Sequence, residues 1–167
     1  MRIEQLNAMD EAGAAEVVRP CADIASWVDA VVANRPYAGV EALVAHAEAL
    51  TATWTVEEVE RALADHPRIG ERHAGSGASA EMSRREQSRV GSDAGDEAGV
   101  QERIAAGNAA YEERFGRVFL VRAAGRSAGE VLEQLEQRLG NDPATELEVT
   151  RAQLAEIAVL RLRGLFS

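Results

Sequence analysis

An all-α fold, a single compact domain of about eight helices with no sheet of consequence, is predicted here by three observations. Alanine, leucine, glutamate and arginine dominate the 167 residues, and these are strong helix formers. No run of alternating β-branched residues reads as a half-buried strand. Helix start and stop signals punctuate the chain from end to end. The length suits one domain, residues 1–167, with a real core. No internal repeat stands out.

The elements follow in order. Asp10 can cap a helix running to about Val18, which Pro20 ends. A second helix is expected from about Cys21 to Ala33, stopping before the Asn34-Arg35-Pro36 turn. A third covers Val40 to Leu50. Thr55-Val56-Glu57-Glu58 is a capping box opening a fourth, which reaches about Ala64. Pro67 pushes His66 toward extended geometry, so His66-Pro67-Arg68-Ile69-Gly70 leaves the helix. Residues 72–80 read as a flexible loop. Helix resumes near Ser79 and runs to Val90, where Gly91-Ser92-Asp93-Ala94-Gly95 breaks it. A long helix covers about Asp96 to Arg114, and Phe115 to Val121 is a stop followed by a short apolar stretch that suits extended backbone. Ser127-Ala128-Gly129-Glu130 is a second capping box, opening a helix to about Leu139 with Gly140 fitting its C-terminal cap. Asp142-Pro143 starts the last helix, to about Leu165.

Composition removes several function classes. A formal charge of −10, from 28 acidic and 18 basic residues, argues against a nucleic-acid binder, which needs a basic face. It argues equally against an anionic membrane surface. No apolar run approaches the roughly 20 residues that span a bilayer, and the N-terminus carries no export signal pattern. Cys21 is the single cysteine, so neither an internal disulfide nor a multi-cysteine metal site is available, and a cytoplasmic setting is expected. Lysine is absent, which excludes Schiff-base chemistry, a lysine P-loop and a lysine anchor for pyridoxal phosphate.

Polar residues on apolar helix faces carry the remaining information. In the last helix Leu147, Leu154, Ile157, Ala158 and Leu165 recur at helical spacing. At 100° per residue Arg161 lies within about 20° of that stripe's centre, and Arg163 points away. A buried arginine needs an anionic partner, either a core carboxylate or an anionic ligand. In the long helix Val100, Ile104, Asn108, Tyr111 and Phe115 share a face. The structural reading is favoured there: Asn108 bonded to the backbone of a neighbouring loop, Tyr111 buried with its hydroxyl satisfied. Ser83, Glu86, Gln87 and Val90 fall on one side of their helix, and Arg84, Arg85, Ser88 and Arg89 on the other. Either this is a solvated helix or a hydroxyl, a carboxylate and an amide converge on one place. His66 sits on a stiff turn after a helix C-terminus, where the dipole favours imidazolium. It is either an exposed structural histidine or a general acid or base.

Several fragments occur together in one order. They are His66-Pro67-Arg68-Ile69-Gly70, Ser83-x-x-Glu86-Gln87, Asn108-x-x-Tyr111-Glu112-x-Arg114-Phe115-Gly116 and Phe119-Leu120-Val121. Gly125-Arg126-Ser127, Glu130-x-Leu132, Arg138-Leu139-Gly140-Asn141 and the run from Glu146 through Ile157 to Leu160-Arg161-Leu162 complete the set. In this the chain resembles OHCU decarboxylase, the family acting on 2-oxo-4-hydroxy-4-carboxy-5-ureidoimidazoline in the breakdown of urate to (S)-allantoin. The resemblance runs from Trp27 to Arg161. It implies an all-helical lyase that uses no metal and no organic cofactor. It implies His66 as the catalytic acid/base with Glu86 as its acidic partner. It places Pro67, Ser83, Arg84, Arg85 and Gln87 along the substrate, the backbone of Phe119, Leu120, Val121 and Arg122 on the ring's amide edge, and Arg161 in the same pocket. It allows a homodimer, and implies urate oxidase and hydroxyisourate hydrolase as pathway neighbours. Two rival classes are a metal-dependent hydrolase using His46, His66, His73 and Glu71, and a non-catalytic helical interaction module. Activity that survives a chelator removes the first. The intact set His66, Glu86, Gln87 and Arg161 argues against the second.

Overall fold

The computed structural model describes residues 1–64, 66–70, 78–87 and 97–167. Those residues form nine α-helices and no strand. The helices are α1 (Ile3–Ala8), α2 (Glu11–Val18), α3 (Ala25–Ala33), α4 (Val40–Leu50), α5 (Val56–Leu63), α6 (Ala78–Gln87), α7 (Glu97–Phe115), α8 (Ala128–Arg138) and α9 (Pro143–Gly164). Two 3₁₀ turns, Arg19–Cys21 and Thr51–Thr53, extend the ends of α2 and α4. No helix among the described residues is long and apolar enough to cross a membrane. The chain divides into two compact units, residues 1–62 with 155–167, and residues 63–154.

The first unit is organised by caps. Asp10 Oδ1 accepts the Gly13 N–H at 2.8 Å and starts α2. The Thr55 box closes from both sides, Glu58 Oε2 accepting the Thr55 N–H at 2.9 Å and Thr55 Oγ1 the Glu58 N–H at 3.2 Å. The side chain of Arg35 donates to the carbonyls of Val32, Leu6 and Met9 at 2.8–2.9 Å. It thereby satisfies carbonyls that the ends of α1 and α3 leave without helical partners. Trp27 lies in the core, its indole N–H on the Ala47 carbonyl at 2.8 Å and its ring edge-to-face with Trp54 at 6.1 Å. Burial of Val18, Val28, Val31, Leu43, Ala47, Val59, Ile157, Ala158 and Leu162 completes this core.

In the second unit α7 and α8 pack around Ile69, Ile104, Tyr111, Phe119, Val121, Val131, Leu132 and Leu135. Ser127 and Glu130 form the second capping box. Gly107 sets the distance between the two helices. A Cβ there would stand 2.5 Å from Leu135 Cδ2 and 3.0 Å from its Cγ, and Leu135 is fully buried with no room to turn away. Gly107→Ala is therefore expected to destabilise the protein by about 1–3 kcal/mol through overpacking, despite alanine's advantage of about 1 kcal/mol within a helix. Urea denaturation of the two proteins reads this directly; a midpoint that rises would refute the overpacking argument.

Four expectations need correction or bounding. The second helix begins at Ala25 rather than Cys21, because Arg19–Cys21 is a 3₁₀ turn and Ala22 and Ile24 are extended; Asp23 pairs with Arg19 instead of capping. Gly140 is not in the left-handed region; Leu139 is the αR cap and the turn closes with Gly140 N–H on the Gln137 carbonyl. Of the loop expected at 72–80, residues 78–80 already belong to α6, and 71–77 lie outside the described residues. The helix end at 88–90 and the break at 91–95 also fall outside them.

Candidate active site

The His66 turn is tied down at both ends. Its backbone N–H donates to the Leu63 carbonyl at 3.0 Å, carrying the end of α5 one bond further. His66 and Pro67 are half-buried, Arg68 is exposed and Ile69 is buried in the core of the second unit. Gly70 closes the turn at φ +89°, a conformation that favours glycine. Two side chains one turn apart on α7 reach this loop. Asn108 Nδ2 donates to the Ile69 carbonyl at 3.0 Å, and Glu112 Oε1 accepts from Arg68 Nε at 2.7 Å. The expectation that Asn108 bonds to a neighbouring loop's backbone is met, and the loop is the one that carries His66.

Asn108 is 6% exposed, and its Oδ1 is buried without a hydrogen-bond partner. An unpaired buried carbonyl costs the fold about 1–3 kcal/mol, whereas a neutral hydrogen bond returns about 0.5–1.5 kcal/mol. Fold stability alone does not account for an amide at this position. A cleft of about 340 Å³ lies here, lined by Arg68, Ile69 and Gly70 of the loop and by α7 residues including Gln101, Asn108 and Glu112. Neither His66 nor any residue of α6 lines it.

On α6 the expected division of faces is present over residues 83–87, and Ser88, Arg89 and Val90 lie outside the described residues. Ser83 is buried at 4% exposure, Glu86 and Gln87 are half-buried, and Arg84 and Arg85 are exposed on the other side. Arg85 pairs with Glu81. The hydroxyl, carboxylate and amide thus share the inward edge, and the two arginines expected along the substrate do not.

The segment after α7 was expected to be extended and to present its backbone. It forms no strand, and side chains take up two of its main-chain groups. Arg138 Nη1 donates to the Leu120 carbonyl at 2.6 Å, and Gln153 Oε1 accepts the Arg122 N–H at 2.9 Å. Phe119, Leu120 and Val121 are buried, and Arg122 is half-buried. The Arg138 guanidinium lies 4.6 Å from the centre of the Phe119 ring. Its Nε donates to Glu146 Oε1 at 2.7 Å, and Glu146 also accepts from Tyr111 Oη at 2.6 Å and Asn141 Nδ2 at 3.0 Å. Burial, and secondly the bond to Glu146, raise the pKa of the Tyr111 hydroxyl, which keeps it a donor.

Sequence reasoning passed over Glu146, Thr150 and Gln153. The signal was their spacing, since with Ile157 and Arg161 they recur every three or four residues. The buried face of α9 is centred on these residues with Leu154, Ala158 and Leu162, while Leu147 and Leu165 are only half-buried. Arg161 is buried as expected and donates to the Pro20 carbonyl at 3.3 Å within the first unit, and Arg163 is exposed against Glu41. Among the described residues no group of three His, Cys, Asp or Glu side chains is arranged to hold a metal ion. His73 and Glu71 lie outside those residues.

Comparison with known proteins gives the same direction from sequence and fold. Residues 7–163 match the family model for OHCU decarboxylase. A 2-oxo-4-hydroxy-4-carboxy-5-ureidoimidazoline decarboxylase of Amia calva is 34% identical over 152 residues, covering 89% of this chain and 83% of the relative. The protein of the same name from Mus musculus is 31% identical over 172 residues, covering 99% and 93%. The fold matches a crystal structure of OHCU decarboxylase in the presence of (S)-allantoin, with TM-score 0.74 and 22% identity over 90% of this chain and 97% of that one.

Proposed function

Because the chain belongs to the OHCU decarboxylase family, we propose that it converts 2-oxo-4-hydroxy-4-carboxy-5-ureidoimidazoline to (S)-allantoin, with residues 1–167 acting as one decarboxylase domain. The observation that carries this reading is the span of the family match, 7–163, which takes in the His66 turn, α6, the 119–122 segment and Arg161. The substrate's chemistry makes the reaction feasible for such side chains. Carboxylate and hydroxyl share one ring carbon beside a C=N bond. The C–C bond breaks, CO2 leaves out of plane, and the electron pair passes into the C=N. The resulting enol passes its hydroxyl proton to the ring nitrogen as it becomes the carbonyl, and a proton delivered to one face of the former C=N carbon sets the S centre.

His66 is proposed to orient the departing group and mediate proton transfer. Glu86, on the inward edge of α6, tunes His66 or delivers the final proton. Ser83, Gln87 and the main chain near Leu120 hold the ureido and ring amides, with Pro67 alongside. For Arg161 we propose contact with the substrate's anionic group, and the exposed Arg84 and Arg85 would act only from the rim. The substrate arises by successive action of urate oxidase and hydroxyisourate hydrolase, and the lone Cys21 suits a cytoplasmic setting.

The test generates the substrate in the cuvette from urate with those two enzymes, and adds this protein with EDTA present. A rapid circular-dichroism signal of (S)-allantoin is expected above the slow racemic background. No rise above that background overturns the proposed function.

A further inference from the structure

We infer that Asn108 is a positioning residue of the reaction, acting through the Ile69 carbonyl to fix the loop that carries His66; this rests on the function proposed above. Three observations meet here. First, among the described residues two side chains of α7 bond to the loop, Asn108 from a buried position and Glu112 through the solvent-facing Arg68. Exposed pairs contribute little, so Asn108 is the anchor that matters. Second, a cleft opens along the same stretch of loop and helix. The buried bond at Ile69 and the burial of its side chain fix the loop on α7 beside that opening. Third, Asn108 keeps an unpaired carbonyl in the core, a poor choice for stability and a sensible one for placing a loop. Only Pro67 and Arg68 stand between His66 and the anchored Ile69, and the first is a stiff proline. A shift of the carbonyl is passed along the turn rather than absorbed.

Asn108→Leu keeps the size of the side chain and removes the donor. It is expected to retain the thermal midpoint within a few degrees and KM within about threefold. Misplacing a reacting group by about 1 Å costs up to about 100-fold, so kcat is expected to fall by about 10–100-fold. The pH profile of kcat is expected to shift, because the imidazole changes surroundings. Asn108→Ala, which removes the donor along with the rest of the amide, should behave alike. The His66 ring resonance, assigned by its loss in His66→Ala, is followed by NMR in each variant and should move. If wild type makes no (S)-allantoin, the proposed function fails, and the resonance still tests the anchor. Unchanged kcat with an unchanged His66 resonance overturns the inference. So does failure of both variants to fold, which would make Asn108 architectural.

Discussion

Alanine at position 66 is expected to lower kcat by about 10²–10⁴-fold, the range for a well-placed acid/base group, and to leave the fold intact. The second half of that statement comes from the surroundings. His66 is half-buried at the end of a turn, and two backbone-directed bonds hold that turn whatever the side chain at 66: its own backbone N–H to Leu63, and Asn108 to Ile69. Pro67 keeps the preceding residue extended whatever its side chain. The first half comes from chemistry. A group that moves a proton in the transition state affects kcat, while the ground-state contacts proposed for α6 and the 119–122 main chain would hold KM. The comparison needs initial rates of (S)-allantoin formation for both proteins and far-ultraviolet circular dichroism of each. A kcat within a few-fold of wild type would sink His66 as the acid/base and move attention to Glu86. Glu86 lies on the inward edge of α6 beside buried Ser83.

Much of this arrangement was legible from local pattern, and the illegible parts share a cause. Asp10, Thr55 with Glu58, and Ser127 with Glu130 announce helix starts within four residues, and each cap is present. A cap is a local bargain between neighbours, so sequence shows it. The short helix α1 lacks a Ser, Thr or Asp cap; Gln5 Oε1 accepts the Arg2 N–H at 2.7 Å to open it, and its far end is satisfied from a distance, by Arg35 on the Leu6 and Met9 carbonyls. Residues 22–24 escape the pattern for a local reason, since Asp23 turns back to Arg19, four residues earlier, and caps no helix. On α9 a search for apolar residues settles on Leu147, one position away from Glu146, because the buried face there is polar. Its charge is neutralised by Arg138 and bonded by Tyr111, residues 8 and 35 positions away. Likewise the inward edge of α6 was readable as far as Gln87. The partners were not: that Asn108 holds the Ile69 carbonyl, and that Gln153 holds the Arg122 N–H, depends on how distant segments meet.

Removing Glu146 is expected to have the largest effect on stability, about 3–5 kcal/mol for Glu146→Ala. That is a large part of the 5–15 kcal/mol that typically holds a domain together. The carboxylate is fully buried and Arg138 is 4% exposed. Without Glu146 the guanidinium stays in the core with no counter-charge, and Tyr111 and Asn141 lose their acceptor. The penalty is that of stranded polar groups rather than the worth of the ion pair, and a second variant separates the two. In Arg138→Met with Glu146→Leu both charges are gone, and such replacements are often neutral or stabilising. The double variant should therefore recover most of the lost stability in urea, a coupling expected of residues in contact. Its catalysis should not recover. Arg138 also donates to the Leu120 carbonyl, and methionine cannot. The 119–122 main chain then loses the bond that sets its course past Phe119, while Gln153 still holds it at Arg122. The expected result is a well-folded protein with raised KM and a kcat closer to wild type. A double variant as unstable as Glu146→Ala would mean that hydrogen bonding by Tyr111, Asn141 and Leu120, not charge, carries the stability of this network. A double variant with wild-type KM would remove the 119–122 main chain from the substrate site.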